Sequence, residues 1–403
     1  MASEQKKRER AAAAPADVSG PRIVMLLSVL ALTLLGLVMI YSASSISAIS
    51  EEISSASYLI DQLKFVAVGV VAAGVLWKLI PYRVWAGPAV WVIWGISIVL
   101  LLLTAIMGLA ANGAQRWLLL GPISLQPSEF VKIALVLVAA RLFSELRSGT
   151  LDMRGFIVQV IIFIIIPTGF LFTTQSDLGT TAIIALGVLG VMWLGEVPLR
   201  TILAVIGAMI LFALAATVFS SYRSDRFLYL NPWNDGEGGM GNGYQIIHSY
   251  YAFSEGGLFG SGLGNSREKY LYLPESETDF IFAIIGEELG FVGAMAVILV
   301  FLAILWAGMR IARAATDDFG AMVAGSLTIM LVFQAFLNIG CVIGVFPTTG
   351  KPLPFISSGG SSLIASYMMV GIILAVSEDV SGRDVYERRR DNLEIVRPAK
   401  KAR

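Results

Sequence analysis

The chain has 403 residues, of which 56% are hydrophobic and only 14% are charged, and its mean hydropathy is +0.77. Soluble domains carry about 25% charged residues, so this composition excludes an ordinary soluble fold and indicates a membrane protein. The formal net charge is zero, which gives no electrostatic reason to expect a nucleic-acid partner. The single cysteine, Cys341, and the single histidine, His248, exclude an intrachain disulfide and metal sites rich in cysteine or histidine.

The chain begins with a polar, basic segment at 1–20 that we expect to be a disordered tail. Charge-free runs such as 90–111, 201–222 and 319–350 follow. Since about 20 apolar residues cross the hydrocarbon layer as a helix, we predict an all-α integral membrane fold with about ten spans. These spans are 22–43, 62–80, 84–108, 128–146, 156–174, 178–195, 201–220, 279–308, 319–345 and 361–377. They form one polytopic domain at 21–377, and a basic tail follows at 378–403.

The placement of basic residues predicts the orientation of the chain in the membrane. With the N-terminus in the cytoplasm, 21 of the 29 Lys and Arg residues lie in cytoplasmic segments or toward the cytoplasmic ends of spans, as the positive-inside rule requires. An even number of spans returns the C-terminus to the cytoplasm. The largest external loop is then 221–278, between spans 7 and 8. Because the internal loops are short and the polar loops are external, we expect the functional site on the extracytoplasmic face.

An acidic segment, LPESETDFIFAIIGEELG, leads from that loop into span 8. Glu275, Glu277 and Asp279 can be explained as helix-capping residues, because acidic groups favour a helix N-terminus. A general base at the membrane surface is the explanation we favour, since capping requires only one acid. Glu287 and Glu288 lie further along the same helix, and we expect them to be packed or ion-paired inside the protein.

Three other segments place polar groups near the external ends of spans. In QRWLLLGPISLQPSEFVK, Glu129 and Lys132 are three residues apart on a helix, so they can pair. A structural ion pair and an anion-binding role are equally compatible with this spacing. In QSDLGT, Ser176 or Asp177 can cap the next helix. In PTTGKPLPFISSGGSS, backbone N–H groups near the paired glycines can cradle a phosphate, or the glycines can simply form a tight turn.

Together these segments resemble the SEDS family of shape, elongation, division and sporulation proteins. The motifs RWL, QPSEFVK, QSDLGT, NPW, GGLFGSGLG, LPESETDFIFAIIGEELGF and LPFISSGGSS occur in the family's order across residues 116–362. Two positions depart from the family pattern. Lys351 stands where an aliphatic residue is usual, and Ser358 replaces the usual tyrosine of the SYGG motif.

The resemblance implies a peptidoglycan glycosyltransferase that polymerises lipid II into β-1,4 glycan strands at the outer face of the bacterial cytoplasmic membrane. It implies that Asp279 is the essential aspartate and that Arg116 and Trp117 form a functional pair. We predict that the polar residues of the matching segments, together with Trp117 and the paired glycines, bind substrate. These residues are Arg116, Trp117, Gln126, Ser128, Glu129, Lys132, Gln175, Asp177, Glu275, Lys351, Ser357, Ser358, Gly359, Gly360 and Ser361.

The chemistry implied by the resemblance is a single inverting displacement, which needs one base. Asp279 would take the proton of the acceptor 4-hydroxyl. Arg116, Lys132 or Lys351 would stabilise the departing undecaprenyl pyrophosphate, together with a divalent cation, Mg²⁺ or Mn²⁺, if one is used. The expected partners are lipid II as donor and acceptor, membrane lipids, a class B penicillin-binding protein and other membrane proteins of the divisome or elongasome.

Three alternatives stay open at this stage. The polar N-terminus, the basic tail and the SSGGSS segment favour the division branch of the family, but an elongation-type polymerase has the same motifs. A lipid II flippase or other transporter would also use charged groups within spans, although no inverted repeat of broken helices is visible. A scaffold without catalytic activity, which recruits other enzymes through its tails, is the third alternative.

Overall fold

A computed structural model describes residues 18–50, 52–111, 114–120, 123–218, 231–241 and 243–395 of the chain. All ten predicted spans coincide with helices, so the all-α membrane fold is confirmed. The predicted disorder of the N-terminal tail concerns mainly residues 1–17, which lie outside the described residues. The helices are α1 Ser19–Ala43, α2 Ser45–Ser50, α3 Ser55–Lys78, α4 Arg83–Ala86, α5 Ala89–Met107, α6 Ser128–Ser148, α7 Met153–Thr174, α8 Leu178–Leu194, α9 Leu199–Val218, α10 Tyr244–Gly256, α11 Ile281–Ala314, α12 Asp318–Val342 and α13 Gly360–Ile395.

Seven of the described helices, α1, α3, α5, α7, α11, α12 and α13, are long and apolar enough to cross a membrane. Two shorter apolar helices, α8 and α9, complete the apolar set. The remaining predicted span, 128–146, corresponds to α6, which carries Glu129 and Lys132 in its first two turns. The last helix continues to Ile395, so its backbone extends into the segment that we assigned to a basic tail.

The centre of the bundle is formed by α12 and the first part of α13, whose apolar windows are 78% and 83% buried, whereas only 17% of the α3 window is buried. Helix α8 packs between α12 and α6, α11 packs against α12 and α1, and α13 runs along α3. The peripheral helices expose large apolar side chains such as Leu27, Val71 and Leu211. Those side chains are suited to lipid contact, because lipid does not penalise apolar surface.

Aspartate side chains begin three helices, as expected from their strong preference for N-cap positions. Asp152 accepts a hydrogen bond from the Gly155 amide at 3.2 Å, and Asp317 accepts one from the Gly320 amide. Asp177 accepts one from the Thr180 amide at 3.0 Å. The predicted cap of α8 is therefore confirmed, and Asp177 provides it.

The external segment between α5 and α6 contains a small antiparallel sheet that the sequence analysis missed. Its strands are β1 Leu109–Ala111, β2 Ala114–Leu120 and β3 Ile123–Leu125, and β2 lies in the middle. Trp117 pairs with Leu109 on one side, and Leu118 pairs with Leu125 on the other. The sheet therefore fixes the position of Arg116 and Trp117, which both lie on the central strand.

Helix α11 is broken at Gly290, whose φ of 69° and ψ of −170° are not helical. The break is filled by the turn that follows α10. The amides of Ser261 and Gly262 donate to the carbonyls of Glu287 and Glu288, and the Phe291 amide donates to the Gly257 carbonyl. The backbone groups freed by the break are thus paired, which allows a broken helix to exist within a membrane protein.

Candidate functional site

Asp279 lies two residues before the first residue of α11, at the mouth of the bundle. The side-chain amide of Asn338 donates to the Asp279 carbonyl at 2.7 Å and to the Lys351 carbonyl at 2.8 Å. Asn338, on the buried helix α12, therefore joins the start of α11 to the segment after α12. The Asp279 carboxylate faces that segment, because a Cβ atom built on Gly350 would lie 3.4 Å from Asp279 Oδ2.

The Asp279 carboxyl does not cap α11. The N-cap position is occupied by Phe280, and no side-chain hydrogen bond caps the helix there. Within the described part of the chain, the half-buried Asp279 carboxylate has no hydrogen-bond donor. The capping explanation of this residue is therefore wrong, and the carboxylate is left available for another partner.

The pKa of Asp279 is raised to about 6, first by burial and then by the negative charge of Glu275. The positive charges of Lys351 and Arg116 oppose this increase but do not cancel it. A carboxyl group with a pKa of about 6 is mostly ionised at neutral pH and is a stronger base than an ordinary aspartate. These are the properties that a general base at a membrane surface needs.

A closed network of four buried charges lies beneath the segment that Asp279 faces. Lys351 Nζ lies 2.9 Å from Asp177 Oδ2 and 3.3 Å from Glu129 Oε1. Lys132 Nζ lies 2.7 Å from Glu129 Oε2. Each of the four residues is at most 2% exposed. Two ammonium groups balance two carboxylates, so the network is neutral as a unit.

The expected pairing of Glu129 with Lys132 is confirmed, and Lys351 extends it to the cap of α8. Burial lowers the pKa of Lys351, but the carboxylates of Asp177 and Glu129 outweigh it and the pKa is raised. Burial also raises the pKa of Asp177, but Lys351 and Arg116 hold it at about 2. Asp177 and Lys351 are therefore ionised throughout the physiological range.

Amide side chains connect this network to neighbouring elements. Gln334 Oε1 lies 2.6 Å from Lys132 Nζ, and Gln334 Nε2 donates to the Pro352 carbonyl and to Ser362 Oγ. Gln334 and Asn338 were missed in the sequence analysis. The available signal was two amide residues four positions apart in an otherwise apolar run, since polar groups within spans require partners.

Arg116 is positioned by the turn between α7 and α8. Its Nε donates to the Gln175 carbonyl at 2.8 Å, and its Nη2 donates to the Ser176 carbonyl at 3.0 Å. Arg116 remains half-exposed, as does Trp117 beside it. The Gln175 side chain is fully buried, and neither its Oε1 nor its Nε2 atom has a partner among the described residues.

Three serines at the start of α13 and just before it organise the backbone. Ser357 Oγ accepts from the Leu353 amide, Ser361 Oγ accepts from the Gln126 amide, and the Ser358 amide donates to the Glu277 carbonyl. These bonds bring together the QPSE, PESETD and SSGGSS segments. Gly360 is the first residue of α13 and packs so closely on Phe65 that a Cβ atom there would lie 2.5 Å from its ring.

The remaining predicted residues have different positions. Ser128 is buried and lies 3.4 Å from Asp177 Oδ2. Glu275 is exposed, with its carboxylate bound by the Thr278 hydroxyl at 2.7 Å. In the described part of the chain, no group of three or more acidic, histidine or cysteine side chains is arranged to hold a metal ion.

Glu287 and Glu288, on the inner side of Asp279, anchor the external loop. Glu288 forms an ion pair with Lys269 at 3.2 Å and accepts from Ser42 Oγ at 2.6 Å. Glu287 accepts from Ser266 Oγ at 2.6 Å and from the Arg267 amide. The expectation that these two acids are packed or paired inside the protein is confirmed.

Comparison with known proteins supports one family across most of the chain. The family of cell cycle proteins that includes FtsW, RodA and SpoVE matches residues 22–382. Stage V sporulation protein E of Bacillus subtilis is 39% identical over 370 residues, which cover 89% of this chain and 97% of that protein. A probable peptidoglycan glycosyltransferase FtsW of Trichlorobacter lovleyi is 40% identical over 361 residues, which cover 88% of this chain and 92% of the relative.

Solved structures share the fold. A chain from a peptidoglycan synthase complex, studied for the structural coordination of polymerization and crosslinking, aligns with a TM-score of 0.70 at 26% identity. The alignment covers 88% of this chain and 97% of that one. The rod shape determining protein RodA of Thermus thermophilus aligns with a TM-score of 0.64 at 27% identity, covering 88% and 96% of the two chains.

Proposed function

The chain belongs to the FtsW, RodA and SpoVE family of cell cycle proteins, and we propose that it is a peptidoglycan glycosyltransferase that polymerises lipid II. The observation that carries the proposal is the Asp279 carboxylate. It is half-buried at the mouth of a membrane bundle, has a raised pKa, and faces a segment held by a buried charge network. A base in this position can meet a sugar that is anchored to the membrane by a lipid.

The reaction is a single displacement at the anomeric carbon of the donor sugar. The acceptor 4-hydroxyl oxygen forms a bond to that carbon, and the bond from the carbon to the pyrophosphate oxygen breaks. The hydroxyl proton moves to Asp279, and undecaprenyl pyrophosphate leaves with the electron pair. One displacement converts the α-linked donor into a β-1,4-linked product, so a second carboxylate is not required.

The leaving pyrophosphate needs positive charge, and Arg116 is the best placed cation. Two of its five N–H groups donate to carbonyls of the α7–α8 turn, and the half-exposed guanidinium is close enough for its charge to act on Asp279. Lys132 and Lys351 are enclosed by Glu129 and Asp177, so we assign them positioning roles. A divalent cation, Mg²⁺ or Mn²⁺, would add positive charge at the same pyrophosphate.

The experiment that tests this function is polymerisation of lipid II by the purified full-length chain. Asp279→Asn keeps the shape of the side chain but removes the proton acceptor, so we expect the rate to fall by a factor of about 10²–10⁴. The matched control is Asp61→Asn, because Asp61 is an exposed acid in a surface ion pair with Lys64. If the folded Asp279→Asn protein polymerises lipid II at a near-normal rate, Asp279 is not the general base.

The same assay separates the rival functions. Neither a flippase nor a scaffold produces glycan strands, whereas the proposed enzyme does. We propose that the partner is a class B penicillin-binding protein and that the pair acts in cell division. Relatives named as FtsW and the similarity to a chain of a synthase complex support this proposal. Rates measured with a division-type and an elongation-type partner should differ, with stimulation by the division-type partner only.

Both termini are proposed to be cytoplasmic, with the active site on the external face. A cysteine placed at the exposed Ser261 should react with an impermeant reagent added outside the cell. One placed at the exposed Ser148 should not react. The only native cysteine, Cys341, is buried and would be replaced by alanine first. The reverse labelling pattern would invert the proposed orientation.

A further inference from the structure

Helix α11 carries an open groove at the end remote from Asp279. The groove has a volume of about 300 Å³ and lies along the last turns of the helix. Its lining residues are Leu302, Leu305, Trp306, Met309, Arg310 and Arg313. At 1.5 Å per residue, Arg313 lies roughly 33 Å along the axis from Phe291. This distance matches the thickness of the hydrocarbon layer of about 30 Å, so the two arginines lie at the membrane face opposite the Gly290 break.

The two arginines are unmatched by acidic side chains in the described part of the chain. Two described acids at this end of the bundle have other partners, because Asp318 pairs with Arg147 and Asp379 pairs with Arg83. Both Arg310 and Arg313 are exposed, and neither forms an ion pair with a side chain that the structure describes. The groove therefore has two positive charges at its rim that no described side chain neutralises.

The rest of the groove is apolar and faces outward from the bundle. Leu302 is 41% exposed and Trp306 is 49% exposed. The Arg310 guanidinium lies over the Trp306 ring, 5.9 Å from its centroid. Tryptophan is enriched at the boundary between headgroups and acyl chains. The apolar part of the groove therefore lies at the depth of acyl chains, and the arginines lie at the depth of headgroups.

We propose that this groove binds one anionic phospholipid of the adjacent leaflet. The headgroup phosphate would lie between Arg310 and Arg313, and an acyl chain would pack along Leu302 and Trp306. A zwitterionic phospholipid has the same phosphate, but its own ammonium group already neutralises the negative charge of that phosphate. Its attraction to the two arginines is therefore weaker. The site thus selects for net negative charge and for an attached hydrocarbon chain together.

The test is lipid retention by the purified full-length chain, measured by native mass spectrometry after equilibration with phosphatidylglycerol and phosphatidylcholine. The intact protein should retain one phosphatidylglycerol in preference to phosphatidylcholine. Each arginine near an anionic lipid surface contributes roughly fivefold in affinity, so Arg310→Gln with Arg313→Gln should weaken retention roughly 30-fold. The control is Arg154→Gln with Arg200→Gln, which removes the same charge from two exposed arginines elsewhere.

Three results would overturn the proposal. One is equal retention of phosphatidylglycerol and phosphatidylcholine by the intact protein. The same result is expected if the groove binds a helix of another protein and not a lipid. The second is an equal loss of phosphatidylglycerol in both double variants, which would show only general charge attraction. The third concerns Leu302→Trp, which fills the apolar end of the groove from an exposed position. Undiminished retention in that variant would show that no acyl chain occupies the groove.

Discussion

Replacing Lys351 with methionine tests whether the buried charge network holds the site together. The Lys351 stem packs so closely on α8 that a Cβ atom at Gly179 would lie 2.6 Å from Lys351 Cγ. Methionine keeps an unbranched apolar stem in that space and removes only the ammonium group. The network of two acids and two lysines then changes from neutral to a net charge of −1, with Asp177 and Glu129 still buried.

The expected cost is large because the surviving carboxylates cannot reach water. Removing one partner of a buried ion pair typically destabilises a protein by about 3–5 kcal/mol. We therefore expect Lys351→Met to lower the free energy of unfolding by about that amount, measured by reversible unfolding in mixed micelles. The control is Lys64→Met, which breaks a surface pair whose side chains are 68% and 63% exposed. Such exposed pairs contribute about 0–1 kcal/mol.

A second substitution restores neutrality and sharpens the test. Asp177→Asn removes the negative charge but keeps an N-cap for α8, because asparagine caps helices as well as aspartate does. The double variant Lys351→Met with Asp177→Asn should be more stable than Lys351→Met alone, with a coupling of about 0.5–3 kcal/mol. The reasoning fails if Lys351→Met costs no more than Lys64→Met, or if the double variant is less stable than Lys351→Met.

Two further predictions concern the base and the break in α11. The polymerisation rate should rise with pH through about 6, the pKa of Asp279, because the ionised carboxylate accepts the proton. Glu275→Gln removes a negative neighbour and should move this rise to lower pH, and an unmoved profile would disconnect the pH dependence from Asp279. Gly290→Ala should lower the free energy of unfolding by about 1–3 kcal/mol from backbone strain alone, because the φ of Gly290 is 69°. A steric clash adds to this cost, since a Cβ atom at Gly290 would lie 2.3 Å from the Gly260 amide nitrogen. Gly95→Ala is the control, since a Cβ atom there meets no atom within 4 Å, and equal unfolding midpoints for the two variants would contradict the packing argument.

The sequence by itself determined the features that depend on residues close together along the chain. Runs of apolar residues predicted ten spans, and each of them coincides with a helix, seven of which are long and apolar enough to cross a membrane, because each spanning helix must satisfy its own backbone. The pairing of Glu129 with Lys132 follows from their spacing of three residues on one helix face. The cap of α8 was predicted at Ser176 or Asp177, and the structure assigns it to Asp177, whose carboxylate accepts from the amide three residues ahead.

Only the tertiary structure decided which distant groups meet. Lys351 and Asp177 are 174 residues apart, and their contact depends on how α8 packs against the segment after α12. The same packing places Asn338 between Asp279 and Lys351, and it leaves the Asp279 carboxylate without a capping role. A residue's helical propensity and its immediate neighbours do not encode such contacts. A buried charge must find an opposite charge wherever the fold supplies one, and the location of that partner is a property of the assembled bundle.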